Sequence, residues 1–199
     1  MGFREDLAYR CCFIAEDLFE QVKHPHQKQP PQFTTQDGAA MRELWECAKT
    51  GNLVLDMLSG VGAAIRTAYL HALFSMPGFL TGAEKRATKA VQDSSILVYR
   101  GARRPEHKTG KYGLSWTADE AVARWFAARN QGQSHHSVLI QGVVDGRNCY
   151  VLDTCESEVV VFGQVDVQAV TQCDWQVQKM DWDNMRAVPV VRVQAKRAA

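Results

Sequence analysis

Residues 95–101 read Ser-Ile-Leu-Val-Tyr-Arg-Gly, a short run of apolar, β-branched and aromatic residues that ends in an arginine and a glycine. Such a run is typical of a buried strand. The chain before it has the periodicity of helices, and the chain after it consists mainly of short segments with strand composition. The sequence therefore predicts an α+β fold in which helices come first and a mainly antiparallel sheet follows.

The N-terminal half carries apolar residues at steps of three and four, which is the pattern of amphipathic helices. Helices are expected over residues 3–22, 35–48, 53–74 and 82–91. Thr35 or Asp37 is expected to cap the second helix. Gly60 and Gly62 are expected to weaken the middle of the third, and Pro77-Gly78 to end it.

The C-terminal half has six further segments of strand length and composition. They cover residues 137–144, 149–152, 159–162, 165–172, 175–179 and 188–193. One helix is expected among them over residues 119–129, capped by Thr117 or Asp119. We therefore expect a helical N-terminal region, residues 1–92, packed on a β-rich core, residues 93–199, in one compact body.

Composition excludes several classes of protein. With a formal net charge of only +1, the chain as a whole has no strong positive field that would attract nucleic acid or an anionic membrane. The six cysteines have no zinc or redox spacing, and the N-terminus has no secretory pattern, so reduced thiols in a cytoplasmic setting are expected. No apolar run is long enough for a membrane span. The histidine pairs have no third ligand at metal spacing, so no metal is expected.

Three motifs follow one another in the second half of the chain. Residues 98–101 read Val-Tyr-Arg-Gly, residues 113–117 read Gly-Leu-Ser-Trp-Thr, and residues 156–161 read Glu-Ser-Glu-Val-Val-Val. This order resembles the ADP-ribosyltransferase superfamily of the cholera-toxin type, whose hallmarks are a strand-borne Arg, a Ser-x-Ser/Thr motif and a Glu-x-Glu motif. The Ala-Arg-Trp-Phe-Ala stretch at 123–127 adds to the resemblance, which covers roughly residues 95–165.

The resemblance implies a split antiparallel sheet that binds NAD, as a co-substrate, in its cleft. Breaking the bond between nicotinamide and ribose builds positive charge on the sugar, and the carboxylate of Glu158 is expected to stabilise that charge. By family position, Arg100 is expected to hold the NAD pyrophosphate, for which the rigid guanidinium fork is suited. Ser115 is expected to orient the catalytic carboxylate.

Glu156 lies two residues before Glu158, so both side chains would share one face if the segment is extended. Two carboxylates so close should raise one of their pKa values, which suits a base that activates the acceptor. By resemblance Glu156 has that role. The residues expected to contact NAD are Arg100, Gly101, Tyr112, Ser115, Trp116, Thr117 and Phe126.

Two of these expectations have alternatives. Trp116 is expected either to stack on nicotinamide or to pack in the core. The basic residues over 100–111, opposed only by Glu106, are interpreted as a solvated loop, with a groove for the NAD phosphates or an RNA acceptor as the alternative.

The function expected from these motifs is mono-ADP-ribosyl transfer from NAD to a macromolecular acceptor, either protein arginine or nucleic acid. Analogy with small bacterial or phage toxins and defence effectors suggests growth inhibition and an antitoxin partner. An NAD glycohydrolase, with water as the acceptor, is the alternative within enzymes. A catalytically inactive relative that serves as a binding module is the alternative outside them.

Overall fold

A computed structural model describes residues 2–26, 32–47, 58, 60–129, 137–152, 156–173 and 193–194. The chain divides into two compact units, Met1–Thr81 and Gly82–Ala199. The sequence pattern predicts this boundary after residue 92 instead. The difference arises from the helix over 82–91, because its buried Val91 packs in the core of the sheet and the helix therefore belongs to the second unit.

The first unit is helical throughout its described secondary structure. Its described helices are α1 (Gly2–Lys23), α2 (Thr35–Cys47) and α3 (Ala63–Ser75). Helix α1 packs against both of the others. Aromatic rings fill much of the core: Trp45 meets Phe74 edge-on at 5.2 Å between ring centroids, and Phe74 lies 4.7 Å from Phe79. The predicted helix over 3–22 is confirmed.

Helix α2 begins with a reciprocal capping arrangement between Thr34 and Asp37. The Asp37 amide donates to Thr34 Oγ1 at 3.2 Å, and the Thr34 amide donates to Asp37 Oδ2 at 2.8 Å. This is a capping box, which satisfies two backbone donors at once. The side-chain hydrogen bond from Thr34 is the main cause of the lowered pKa of Asp37. The predicted cap at Thr35 is therefore wrong by one residue, and Asp37 lies in the first turn.

Helix α3 starts later than the sequence pattern predicts. It begins at Ala63, after Gly62 with a non-helical ψ of 146° and Gly60 with a φ of 80°. A left-handed residue cannot continue a right-handed helix, so within the described residues the predicted helix is interrupted at the two glycines and not merely weakened there. The predicted end at Pro77-Gly78 is confirmed, since α3 ends at Ser75. Residues 51–57 and 59 lie outside the described residues.

The second unit combines helices with one antiparallel sheet. Its helices are α4 (Gly82–Val91), α5 (Arg104–Thr109) and α6 (Glu120–Arg129). Its described strands are β1 (Ser95–Arg103), β2 (Ser115–Thr117), β3 (Ser137–Asp145), β4 (Cys149–Val151), β5 (Glu158–Val161), β6 (Asp166–Gln172) and β7 (Val193–Gln194). The order is β4-β5-β2-β1-β3-β6, and β7 pairs with the start of β1. The predicted α+β class is confirmed. The strand predicted over 175–179 lies outside the described residues.

Helix α5 occupies the basic segment that the sequence pattern predicts as a loop. Gly110 follows it with a φ of 64° and donates its amide to the His107 carbonyl at 3.1 Å. A glycine in this conformation is a common way to end a helix. Pro105 lies at the start, where the missing amide hydrogen has no consequence. The loop prediction for 104–109 is therefore wrong.

The two faces of β1 pack against different partners. Ile96 and Val98 face the main core, which also contains Trp116. Tyr99 faces the other side and packs with Ala123 of α6. Gly101 lies beneath α6, where any Cβ would collide with the backbone of the helix. A glycine is therefore required at 101 for α6 to approach the sheet this closely.

Thr88 gives a test of the attachment of α4 to the sheet. Its buried Oγ1 accepts a hydrogen bond from the Val151 amide at 3.0 Å. Thr88→Val keeps the shape but leaves that amide without its acceptor, so the free energy of unfolding should fall by about 1–3 kcal/mol. Urea denaturation of the full chain measures this. Thr88→Ser, which keeps the hydroxyl, should lose no more than about 1 kcal/mol. A Thr88→Val protein as stable as wild type would contradict the assignment.

Candidate functional site

The three motif-bearing strands are neighbours in the sheet, in the order β5-β2-β1. Tyr99 of β1 pairs with Thr117 of β2, and Thr117 pairs with Glu158 of β5. One row across the sheet thus joins segments that are far apart in sequence. The motifs that carry Arg100, Ser115 and Glu158 therefore converge on adjacent strands.

The side chains of these strands do not all leave the sheet on the same face. Successive residues of a strand point to opposite faces. Arg100 therefore lies on the face of Val98, while Thr117 and Glu158 share the face of Tyr99. The structure brings the three motifs together through the backbone, and Arg100 contacts the start of β2 through the Ser115 carbonyl.

The Arg100 guanidinium is held by a compact set of hydrogen bonds. Its Nε donates to Oε1 of Glu106 at 2.9 Å, its Nη2 forms an ion pair with the same oxygen at 2.7 Å, and its Nη1 donates to the Ser115 carbonyl. The same Glu106 oxygen accepts the Gly113 amide at 3.2 Å. The Arg100 and Glu106 side chains are 20% and 24% exposed, so the pair is shielded but reachable from solvent.

Trp116 belongs to the core of the second unit. It is 3% exposed, and the ring of Tyr112 meets it edge-on at 5.5 Å between centroids. Core packing is therefore the alternative that the structure supports for Trp116, because a buried ring offers no face to nicotinamide.

The Tyr112 hydroxyl lies 2.9 Å from Nδ1 of His107. Burial, followed by the charge of Glu106, raises the pKa of Tyr112, so its phenol is protonated at neutral pH.

The two hydroxyls of the Ser-x-Thr motif have different surroundings. Thr117 is 5% exposed, and its Oγ1 donates to the Glu156 carbonyl at 2.6 Å and accepts the Asp119 amide at 3.0 Å. It connects β2, the start of α6 and the Glu-x-Glu segment. Ser115 is exposed at the start of β2. Of the two hydroxyls, that of Ser115 is the one available to a substrate.

The Glu-x-Glu segment is turned rather than extended. Ser157 is buried and has a φ of 49°, and β5 begins at Glu158. The Ser157 carbonyl accepts the Ala118 amide at 3.0 Å, which holds the turn against β2. The predicted extended segment is therefore wrong, and the left-handed turn at Ser157 sets the relation between Glu156 and Glu158. The predicted pKa coupling of the two carboxylates stays a prediction.

Helix α6 carries the remaining expected contact residue, Phe126. Its ring is half-buried and meets that of Trp125 edge-on at 5.1 Å. Asp119 caps the helix, accepting the Ala121 amide at 2.7 Å, as one of the two predicted caps. Gly101, also an expected contact, has α6 packed directly against it. The structure thus gives Gly101 a packing role.

Two residues at the centre of this site lie outside the three motifs' predicted site residues. Glu106 binds Arg100, and Ser157 turns the backbone between the two carboxylates. The sequence does distinguish Glu106, since it is the one acidic residue among the basic residues over 100–111. No comparable signal exists for Ser157, because serine is not a residue type that marks left-handed backbone.

No protein-family model, curated protein or solved structure matches this chain. Within the described residues, no group of three or more His, Cys, Asp or Glu side chains is placed to hold a metal ion. No helix in the described part is long and apolar enough to cross a membrane. The cysteines described there, Cys11, Cys12, Cys149 and Cys173, are free thiols.

The hydrogen bonds of Thr117 lead to a prediction about local order. Thr117→Val removes both bonds of the hydroxyl, so we expect stability to fall by about 1–3 kcal/mol. Hydrogen exchange at the Asp119 amide should become faster, because that amide loses its acceptor. Mass spectrometry of exchanged peptides measures this. Thr117→Ser, which retains the hydroxyl, serves as the control. Equal exchange rates in wild type and Thr117→Val would contradict the bridging role.

Proposed function

We propose that the chain is a mono-ADP-ribosyltransferase, which moves ADP-ribose from NAD to a macromolecular acceptor and releases nicotinamide. The observation that carries the proposal is the adjacency of β5, β2 and β1, the strands of Glu158, Ser115 and Arg100. This strand order makes residues of three separate motifs neighbours.

Glu158 is the carboxylate proposed to stabilise the developing positive charge on the ribose. A charge that is fixed before the reaction stabilises the transition state without reorganisation. The backbone of Glu158 is held on both sides: it pairs with Thr117, and its carbonyl accepts the Leu152 amide at 2.9 Å. This rigidity is what such a role requires.

Arg100 and Ser115 are proposed to bind NAD rather than to react. A guanidinium has five N–H donors, and the hydrogen bonds to Glu106 and to the Ser115 carbonyl use two of those of Arg100, from Nε and Nη1. The remaining donors suit a phosphate oxygen. Arg100 and Glu158 leave opposite faces of the sheet, so the proposal requires NAD to pass the strand ends beside the exposed Ser115, with its pyrophosphate near Arg100 and its nicotinamide ribose at Glu158.

Glu156 is proposed to activate the acceptor. It is partly exposed at the turn that precedes Glu158, and its carbonyl is held by Thr117. The acceptor is a protein arginine or a nucleic acid under this proposal. By analogy, expression without a neutralising antitoxin should inhibit growth.

The decisive experiment incubates the protein with NAD labelled in the adenosine part and a whole-cell lysate. The labelled product is then digested separately with nuclease and with protease. Loss of label with one enzyme identifies the acceptor class. Release of free ADP-ribose alone would favour the NAD glycohydrolase, and absence of any NAD turnover would favour the inactive binding module.

Glu158→Gln tests the catalytic carboxylate. Transfer and NAD hydrolysis should both fall by about a hundredfold or more, because the stabilising charge is lost, while NAD still binds. Initial rates with labelled NAD and titration calorimetry measure the two properties. Glu120→Gln, on the exposed side of α6, is the control and should keep its rate. Near-native turnover in Glu158→Gln would refute the assignment.

Glu156→Gln separates transfer from hydrolysis. If Glu156 acts on the acceptor, the variant should lose labelling of the acceptor but keep slow NAD hydrolysis, since water can still attack the cation. Product analysis by chromatography distinguishes labelled acceptor from free ADP-ribose. A joint loss of both activities would mean that Glu156 supports Glu158 instead. If neither activity falls, the glycohydrolase gains support.

A further inference from the structure

We propose that Glu106 is a positioning residue, which fixes the orientation of Arg100 before NAD binds. This inference rests on the proposed function, because it names the group that prepares its phosphate site. It concerns a residue on α5, outside the three motifs. Glu106 itself is not proposed to contact NAD.

The geometry supports positioning because one carboxylate oxygen organises several donors. Oε1 of Glu106 accepts hydrogen bonds from Nε of Arg100 and from the Gly113 amide, and it forms an ion pair with Nη2 of Arg100 at 2.7 Å. The bond from Nη1 to the Ser115 carbonyl fixes the guanidinium from another side. An arginine without these partners would lose rotamer freedom on binding a ligand, and that loss weakens affinity.

The Arg100–Glu106 pair differs from an ordinary surface ion pair. Arg124 and Glu120 lie one turn apart on α6, with side chains 46% and 44% exposed. Such a pair contributes little. Arg100 and Glu106 are about half as exposed, and they connect β1, α5 and the segment before β2.

Gly113 shows that the chain leaves room for the guanidinium. A Cβ at this position would lie 2.8 Å from Nη2 of Arg100, closer than real Cβ atoms approach. A side chain at 113 would therefore displace Arg100 while the charge of Glu106 stays in place. This position offers a second way to disturb the same arrangement.

Electrostatic repulsion between Glu106 and the NAD phosphates would work against any gain in affinity from the fixed orientation of Arg100. Glu106 neutralises the charge of Arg100, so it also repels the NAD phosphates. The guanidinium edge that faces a ligand is closer to it than the carboxylate behind, so attraction exceeds repulsion at short range. The two effects predict opposite results for removal of Glu106, and affinity measurements can therefore decide between them.

The test measures NAD affinity by titration calorimetry for wild type and variants of the full chain. Glu106→Ala should weaken binding by about tenfold or more, because Arg100 loses its fixed orientation. Glu106→Gln keeps an oxygen acceptor and should stay within about threefold of wild type. Gly113→Ala, with the carboxylate intact, should also weaken binding. Glu120→Ala is the matched control and should not change affinity.

A double-mutant cycle with Arg100→Lys tests whether Glu106 acts through Arg100. If it does, the combined loss of affinity is smaller than the product of the single losses. Unchanged or tighter binding in Glu106→Ala, or losses that multiply, would overturn the inference while the proposed function stands. A folded wild-type protein that does not bind NAD would overturn both.

Discussion

The antiparallel pairing of β1 with β3 is the constraint on which the second unit depends. It runs without interruption from Ser95 opposite Asp145 to Arg103 opposite Ser137. A slip of one residue in this register would move every side chain of β1 to the other face. Arg100 would then no longer meet Glu106, and Gly101 would no longer lie beneath α6. The long pairing holds both in register.

Two separate sets of contacts hold the candidate site residues in place, one near β5 and one at Arg100 of β1. On the β5 side, hydrogen bonds hold the backbone of the two residues that carry the carboxylates: the Thr117 hydroxyl donates to the Glu156 carbonyl, and the Leu152 amide donates to the Glu158 carbonyl. On the other side, a side-chain network holds Arg100. The first set of bonds depends on the pairing of β4 with β5 and on the Thr117 hydroxyl. The second depends on the Glu106 carboxylate and on the glycine at position 113, so it can change with little effect on the sheet.

Much of this arrangement could be predicted from local patterns. The apolar run before Arg100 predicts β1, and the periodicity over 119–129 predicts α6, because both depend on burial of near neighbours. The attachment of α4 through Thr88 could not be predicted, since its hydrogen bond joins residues 63 positions apart. The turn at Ser157 has no signal in residue type. The pairing of Glu106 with Arg100 depends on a helix whose composition resembles a loop.

The left-handed conformation of Ser157 has a consequence for how the protein can be evolved. Within the described residues it is the one non-glycine residue with positive φ, and it lies between the two carboxylates. Such a residue is strained, and glycine would relieve the strain. Selection for thermal stability alone should therefore favour glycine at this position early. The same change would widen the range of backbone angles between Glu156 and Glu158, so stability would be gained where conformational precision is lost.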